Sequence, residues 1–215
     1  MLDMTARSNG SPGKVFRWPR AYDLLLRLVW GRDEDRYRAH VLELAQIGPG
    51  QSVLDVGCGT GTLAIAAKRR VGPGGRVTGV DASGDMLARA RRKAARQGPD
   101  IAFVQGTAQD LPFAPASFDV LLCTTVLHCL PAAQRGECLA EMARVLKPEG
   151  RLLLVDFGGS AASKRGVFGH MHAHRRFDLA GEISGLSDVG LSEIARGPTG
   201  FTDLVYVLAV AHRRQ

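Results

Sequence analysis

A chain of 215 residues, 45% hydrophobic and 23% charged, is long enough for one globular domain that buries its own core without a metal or disulfide staple. Its four cysteines, Cys58, Cys123, Cys129 and Cys138, form no Cys-x-x-Cys pair, which disfavours both a zinc site and a disulfide framework. The net charge of +7 raises nucleic acid as a partner, but aromatic residues are only 6% and none is interleaved with the densest basic cluster, so a stacking platform for single strands is disfavoured.

Residues 1–13 are polar and glycine-bearing and read as a disordered N-terminus. No apolar run follows the first charges, so no signal peptide is read, and no stretch approaches the ~20 residues of a membrane span. A reducing cytoplasm is the default. Phe16 to Trp30 is apolar, is broken by Pro19 and restarts as a helix at Arg20. A second helix runs from Asp33 to Ala45 and ends before Gly48-Pro49-Gly50.

From Ser52 short apolar runs alternate with helix-length segments. The runs are Ser52–Val56, Arg76–Val80, Ile101–Gln105, Val120–Cys123 and Arg151–Val155; helices start near Gly61, Ser83, Ala133 and Asp178. Apolar strands alternating with helices predict a doubly wound α/β fold around a mostly parallel sheet covered on both faces. Two late runs, Leu191–Ala195 and Leu204–Ala211, predict an antiparallel C-terminal hairpin at its edge. The basic cluster Arg89, Arg91, Arg92, Lys93 and Arg96 shares a segment with Met86, Leu87, Ala90 and Ala94 at helical spacing, and reads as a solvated outer helix face.

The stretch Val53-Leu54-Asp55-Val56-Gly57-Cys58-Gly59-Thr60-Gly61 reads strand, glycine loop, helix. In a doubly wound sheet that turn lies at the carboxyl end of the strand, where ligands bind. A dinucleotide loop wants Gly-x-Gly-x-x-Gly; here Thr62 holds the third glycine's place and the glycine comes one residue early. No Gly-Lys-Ser/Thr follows, so a triphosphate loop is disfavoured too. Asp81 ends the next strand at the separation expected of a ribose-binding acid. It is weighed against a plain helix-capping role, which Ser83 fills as well. Loop and acid together indicate a nucleoside-bearing ligand across the first two strands.

With these residues in view, the sequence resembles the class I S-adenosylmethionine-dependent methyltransferases, in the branch of the ubiquinone and menaquinone biosynthesis enzymes. Five segments match in order: Val53–Thr62, Gly79–Ser83, Gly106–Phe113, Ser117–Pro131 and Arg144–Phe157. The resemblance implies a seven-stranded Rossmann-like sheet at 49–215, with helices at 14–48 that fold over the cofactor and substrate. It implies that Gly57, Cys58, Gly59, Thr60 and Gly61 cradle the methionine part of S-adenosyl-L-methionine, with Asp55 attracting its ammonium and Thr60 contacting the amino-acid moiety. Asp81, followed by Ala82, would hold the ribose and Met86 would lie over the adenine. Thr107 and Ala108 would read the adenine edge, and Thr124 would line the methionine side. The chain departs from its relatives at Thr107, where many carry Asp or Asn, and at Leu127-His128-Cys129; Asp110 is a possible substitute for the first.

Methyl transfer from a sulfonium mainly requires alignment, which supplies ~7–11 kcal/mol of the barrier, and a base is useful only if the acceptor must lose a proton. Candidates beside the acceptor are His128, Asp156 and Tyr22, each weighed against a structural role. His170, His172 and His174 read as a solvated loop or pocket lining rather than a metal site, with Arg175 and Arg176 opposing a cation. The reading is therefore methyl transfer to a small molecule, with a quinone- or lipid-like acceptor as the candidate kind. Its alternatives are an RNA methyltransferase and a cofactor-binding protein without transferase activity. The place after the fourth strand reads Cys123-Thr124-Thr125-Val126, not the Asp/Asn-Pro-Pro-Tyr/Phe segment of adenine-amino methyltransferases.

Overall fold

The structure, a computed structural model, describes residues 5–6, 15–16, 33–158, 177–201 and 203–212. Seven strands form one sheet: β1 Ser52–Val56, β2 Arg76–Asp81, β3 Ala102–Gln105, β4 Phe118–Thr124, β5 Leu146–Phe157, β6 Leu191–Pro198 and β7 Leu204–Ala211. Their spatial order is β3-β2-β1-β4-β5-β7-β6. The first five pair in parallel, and β7 runs antiparallel to both β5 and β6. The expected doubly wound sheet with its terminal hairpin is present; the hairpin's first strand runs three residues further than the apolar pattern indicated, to Pro198.

The helices are α1 Asp33–Leu44, α2 Thr62–Val71, α3 Gly84–Gln97, α4 Ala132–Val145 and a single turn, α5 Leu179–Glu182. The expected helix from Asp178 is thus one turn long, with Asp178 as its cap through Ala180 N. The expected helix from Arg20 lies outside the described residues. Of the expected disordered stretch 1–13, only Thr5–Ala6 is described, and it pairs antiparallel with Val15–Phe16.

Side chains alternate across the sheet and build two cores. Val53, Val120, Leu122, Leu153 and Val155 face α1, α2 and α3 through Val41, Ile65 and Leu87. Leu54, Val56, Leu121, Leu152 and Leu154 face α4 and α5 through Leu139, Met142 and Leu179. These side chains are almost fully removed from water, which favours folding by about 1.5–3 kcal/mol each. At the amino ends of the strands, Asp119 ties β1 and β5 to β4, accepting from Ser52 N at 2.8 Å and Lys147 Nζ at 2.8 Å.

Two acids interrupt this alternation near the carboxyl ends of strands. Successive residues of a strand face opposite sides, so Asp55 shares the face of Val53 and Asp156 shares that of Leu152 and Leu154. Each stands where an apolar residue would continue the core, and each is 1% exposed.

Candidate functional site

The glycine loop begins where β1 ends. Gly57, Gly59 and Gly61 have φ of 68°, 53° and 74°, the left-handed region that side chains rarely adopt. Space makes the same demand at Gly57, where a Cβ would stand 2.3 Å from Val126 Cγ2. Gly61 precedes α2 and gives it no side-chain cap, and of the first-turn amides that of Ala64 is turned onto Asp55. Asp55 lies beneath the loop. Burial, and secondarily Asp81, raise its carboxyl from 3.8 to about 7, and the Ala64 amide offsets part of that rise. Asp55 Oδ2 has no hydrogen-bond partner, alone among the buried side-chain oxygens and nitrogens of the described residues. Such an atom costs free energy unless something outside the protein satisfies it. An ammonium group does so and restores the carboxylate's charge.

Asp81 ends β2 and binds the loop to it. Its Oδ2 accepts from Gly59 N at 2.8 Å and its Oδ1 from Ser83 N at 2.8 Å. Burial raises its carboxyl, and these two amides counter it. Ser83 caps α3 by accepting from Met86 N at 3.3 Å, so capping falls to Ser83 and not to Asp81. A carboxylate oxygen carries two lone-pair sites, and each oxygen of Asp81 retains one for a diol.

Thr60 is buried, and its hydroxyl accepts from Lys93 Nζ at 2.8 Å, with Thr62 Oγ1 on the same nitrogen at 2.7 Å. This differs from the sequence expectation for Lys93. The Thr60 hydroxyl is turned toward α3, and Lys93 folds onto the glycine loop instead of joining the solvated face. Cys58 packs its sulfur where a Cβ on Gly79 would fall, 2.8 Å away, and burial keeps its thiol protonated. Met86 is buried at the start of α3, and the half-buried Ala82 accepts from Gln105 Nε2 through its carbonyl. Thr107 and Asp110 form an isolated bridge and, with half-buried Ala108, follow β3 at the same edge of the sheet.

On the other side of β1, Thr124 ends β4 and Thr125 turns the chain at φ 55°. The 3-10 turn Leu127–Cys129 follows. It brings together two residues that sequence treated as separate candidates: His128 Nδ1 lies 2.7 Å from Asp156 Oδ1, with side chains 9% and 2% exposed. Asp156 also accepts from His128 N at 3.3 Å and from Phe157 N at 2.9 Å. Cys129 Sγ meets His128 Nε2 at 3.2 Å. Burial pulls the imidazole down, but hydrogen bonding and charge from Asp156, with Cys129 adding to them, win and raise it to about 9. The raised value favours the doubly protonated ring, in which both nitrogens donate.

The ring stands edge-on to Phe157, with centroids 4.9 Å apart, and to Phe177 at 6.2 Å. Behind Phe177, Arg135 from α4 stacks on the ring at 4.8 Å, pairs with Glu182 of α5 and donates to the Leu127 and Leu130 carbonyls at 3.2 Å. Phe177, Arg135, Lys93 and Val126 escaped sequence reading because their partners are distant in sequence. Tyr22, His170, His172 and His174 lie outside the described residues.

Comparison with known proteins agrees with this geometry. A family model described as a methyltransferase domain matches residues 53–150. The chain is 36% identical over 165 residues to the demethylmenaquinone methyltransferase of Thermus thermophilus, covering 76% of this chain and 74% of that protein. It is 37% identical over 139 residues to the ubiquinone/menaquinone biosynthesis C-methyltransferase UbiE of a Marinomonas species, covering 63% of this chain. It spans only about half, 54%, of that relative's length. Among solved structures, a SAM-dependent methyltransferase from Aquifex aeolicus has the same fold at a TM-score of 0.73 and 21% identity, over 90% of this chain and 98% of that one.

Proposed function

This chain belongs to the class I S-adenosylmethionine-dependent methyltransferases, in the ubiquinone and menaquinone branch, and we propose that its acceptor is a small hydroxylated ring of the quinol kind. Its cofactor is S-adenosylmethionine, which supplies a methyl group already activated by a sulfonium. The observation that carries the donor-site assignment is the unpartnered Oδ2 of Asp55 beneath three left-handed glycines.

In this proposal Asp55 takes the ammonium of the methionine part. The backbone of Gly57 to Gly61 takes its carboxylate. Asp81 takes the ribose hydroxyls with the lone pairs that Gly59 and Ser83 leave. Ala82, Met86, Thr107 and Ala108 line the adenine, and Thr124 lines the methionine side. Thr60, whose hydroxyl accepts from Lys93, contacts the amino-acid moiety. His128 and Asp156 serve the acceptor side, and Tyr22 is assigned there by the family resemblance alone. The protein's work is alignment, and the buried strand ends that hold these groups keep water away from them.

The quinol reading is supported by the printed activities of the two relatives. The test is methyl transfer from labelled S-adenosylmethionine to a short-chain demethylmenaquinol. Labelled product at a rate that depends on Asp81 is the expected result. Binding of S-adenosylhomocysteine with no transfer to any quinol or phenol would reject the acceptor class and leave the donor site standing.

A further inference from the structure

We propose that His128, oriented by Asp156, receives the acceptor's acidic hydroxyl as its oxyanion, which makes the acceptor a phenol or an enol rather than an amine or a thiol. This rests on the donor-site reading above and deepens it.

The pair is built for one protonation pattern. A carboxylate accepts and does not donate, so Asp156 fixes a proton on His128 Nδ1 at 2.7 Å. Asp156 is itself held from three directions: Oδ1 also accepts from Phe157 N, and Oδ2 accepts from His128 N. The carboxylate cannot turn away without losing backbone partners. Phe157 and Phe177 stand edge-on to the imidazole and prevent the ring from rotating. The second ring nitrogen, Nε2, meets Cys129 Sγ at 3.2 Å. A thiol is a weak partner that a charged oxygen replaces with gain, because hydrogen bonds to an ionised group are roughly twice as strong as neutral ones.

The groups facing the imidazole sort the choice between acid and base. Asp156 comes from β5 and Cys129 from the same turn; beyond Phe177 stand Arg135 of α4 and Glu182 of α5, paired with each other. The Asp156 carboxylate in direct contact favours the cationic ring, which donates from both nitrogens. On binding, the acceptor hydroxyl gives its proton to water and its oxygen accepts from Nε2–H. Attack then proceeds from that oxygen, or from a ring carbon conjugated to it. The new bond forms to the methyl carbon, and the pair of the broken carbon–sulfur bond stays on sulfur. In the second case the ring carbon then loses its hydrogen as a proton to water. The positive charge of the sulfonium offsets that of the oxyanion, so the pair need not change protonation during transfer. His128 touches the acceptor; Asp156 is a positioning residue acting through it.

The test uses the full chain saturated with S-adenosylhomocysteine and two probes, 1-naphthol and its methyl ether, which lacks the acidic hydroxyl. Calorimetry should show the wild type binding the naphthol about tenfold tighter than the ether, and His128→Asn losing that preference, as expected for one charge-assisted hydrogen bond. Ether binding and S-adenosylhomocysteine binding should be unchanged, which also reports that the variant is folded. In Asp156→Asn the loss of naphthol binding on the alkaline side should move toward neutral pH, a shift that a merely structural role would not produce. Equal binding of naphthol and ether by the wild type, undiminished preference in His128→Asn, or coincident pH profiles would each overturn the proposal. Failure of the wild type to bind S-adenosylhomocysteine would instead overturn the donor site.

Discussion

Gly57 shows how one residue carries two constraints at once. Its φ of 68° costs a side chain about 1–2 kcal/mol, and a Cβ there would meet Val126 Cγ2 at 2.3 Å. Gly57→Ala should therefore lower the melting temperature. Adding Val126→Ala should recover only the steric part, since the backbone strain remains; full recovery in a thermal melt would show that φ does not matter there. His128 makes a prediction of opposite accessibility, visible only through pH. Its pKa is raised from 6.5 to about 9, because the carboxylate of Asp156 outweighs burial. A raised value means that the pair stabilises the fold fully below about pH 6.5 and loses that contribution as pH rises through about 9. The melting temperature of the wild type should fall across that window relative to His128→Asn; parallel curves would show that Asp156 does not hold the proton. Of these residues, sequence revealed the glycines, because only glycine is comfortable at positive φ; Asp55 came with the family resemblance, and Asp156 as a candidate at the end of the fifth strand. The pairing of His128 with Asp156 stayed hidden. It spans 28 positions and depends on β4 lying beside β5 and on a 3-10 turn that no local pattern announces.

At the scale of elements, α3 serves the site twice. Its start holds Ser83 and Met86 beside Asp81, and its third turn sends Lys93 back to the hydroxyls of Thr60 and Thr62. In sequence Lys93 is one cation among five, and nothing in its spacing separates it from its neighbours on the helix. Lys93→Met should weaken S-adenosylhomocysteine binding by roughly 1 kcal/mol, about fivefold, by loosening the loop. The fold itself should persist, because Lys93 is not part of either core. Unchanged affinity in calorimetry would place Lys93 outside the loop's support. Across the sheet, Arg135 links α4 to the turn that bears His128 and to α5. The four-residue α5 was overestimated from sequence because its apolar residues, Leu179, Ile183 and Leu186, serve a turn-rich cover over the second core rather than a regular helix.

At the scale of the molecule, the order β3-β2-β1-β4-β5-β7-β6 divides the work. The strand order reverses at β1, and the groups proposed for the donor on β1 and β2 lie to one side of those proposed for the acceptor on β4 and β5. This architecture was legible because short apolar runs rich in Val, Leu and Ile alternate with helix-length segments, and length separates buried strands from helices. It does not fix the reaction, since one fold hosts many sites; the [4+2]-cyclase SpnF shares it at a TM-score of 0.71 and 20% identity. The chemistry rests on the buried carboxylate under the glycine loop. Because Asp55 is raised to about 7, the ammonium of the ligand should stabilise its ionised form and make binding pH-dependent. Isothermal titration with S-adenosylhomocysteine between pH 6 and 8, on the wild type and on Asp55→Asn, tests this directly. One site per chain that tightens as pH rises through about 7, with Asp55→Asn binding about tenfold more weakly and without that pH dependence, is the predicted result. No binding by the wild type, or equal and parallel binding by the variant, would contradict it.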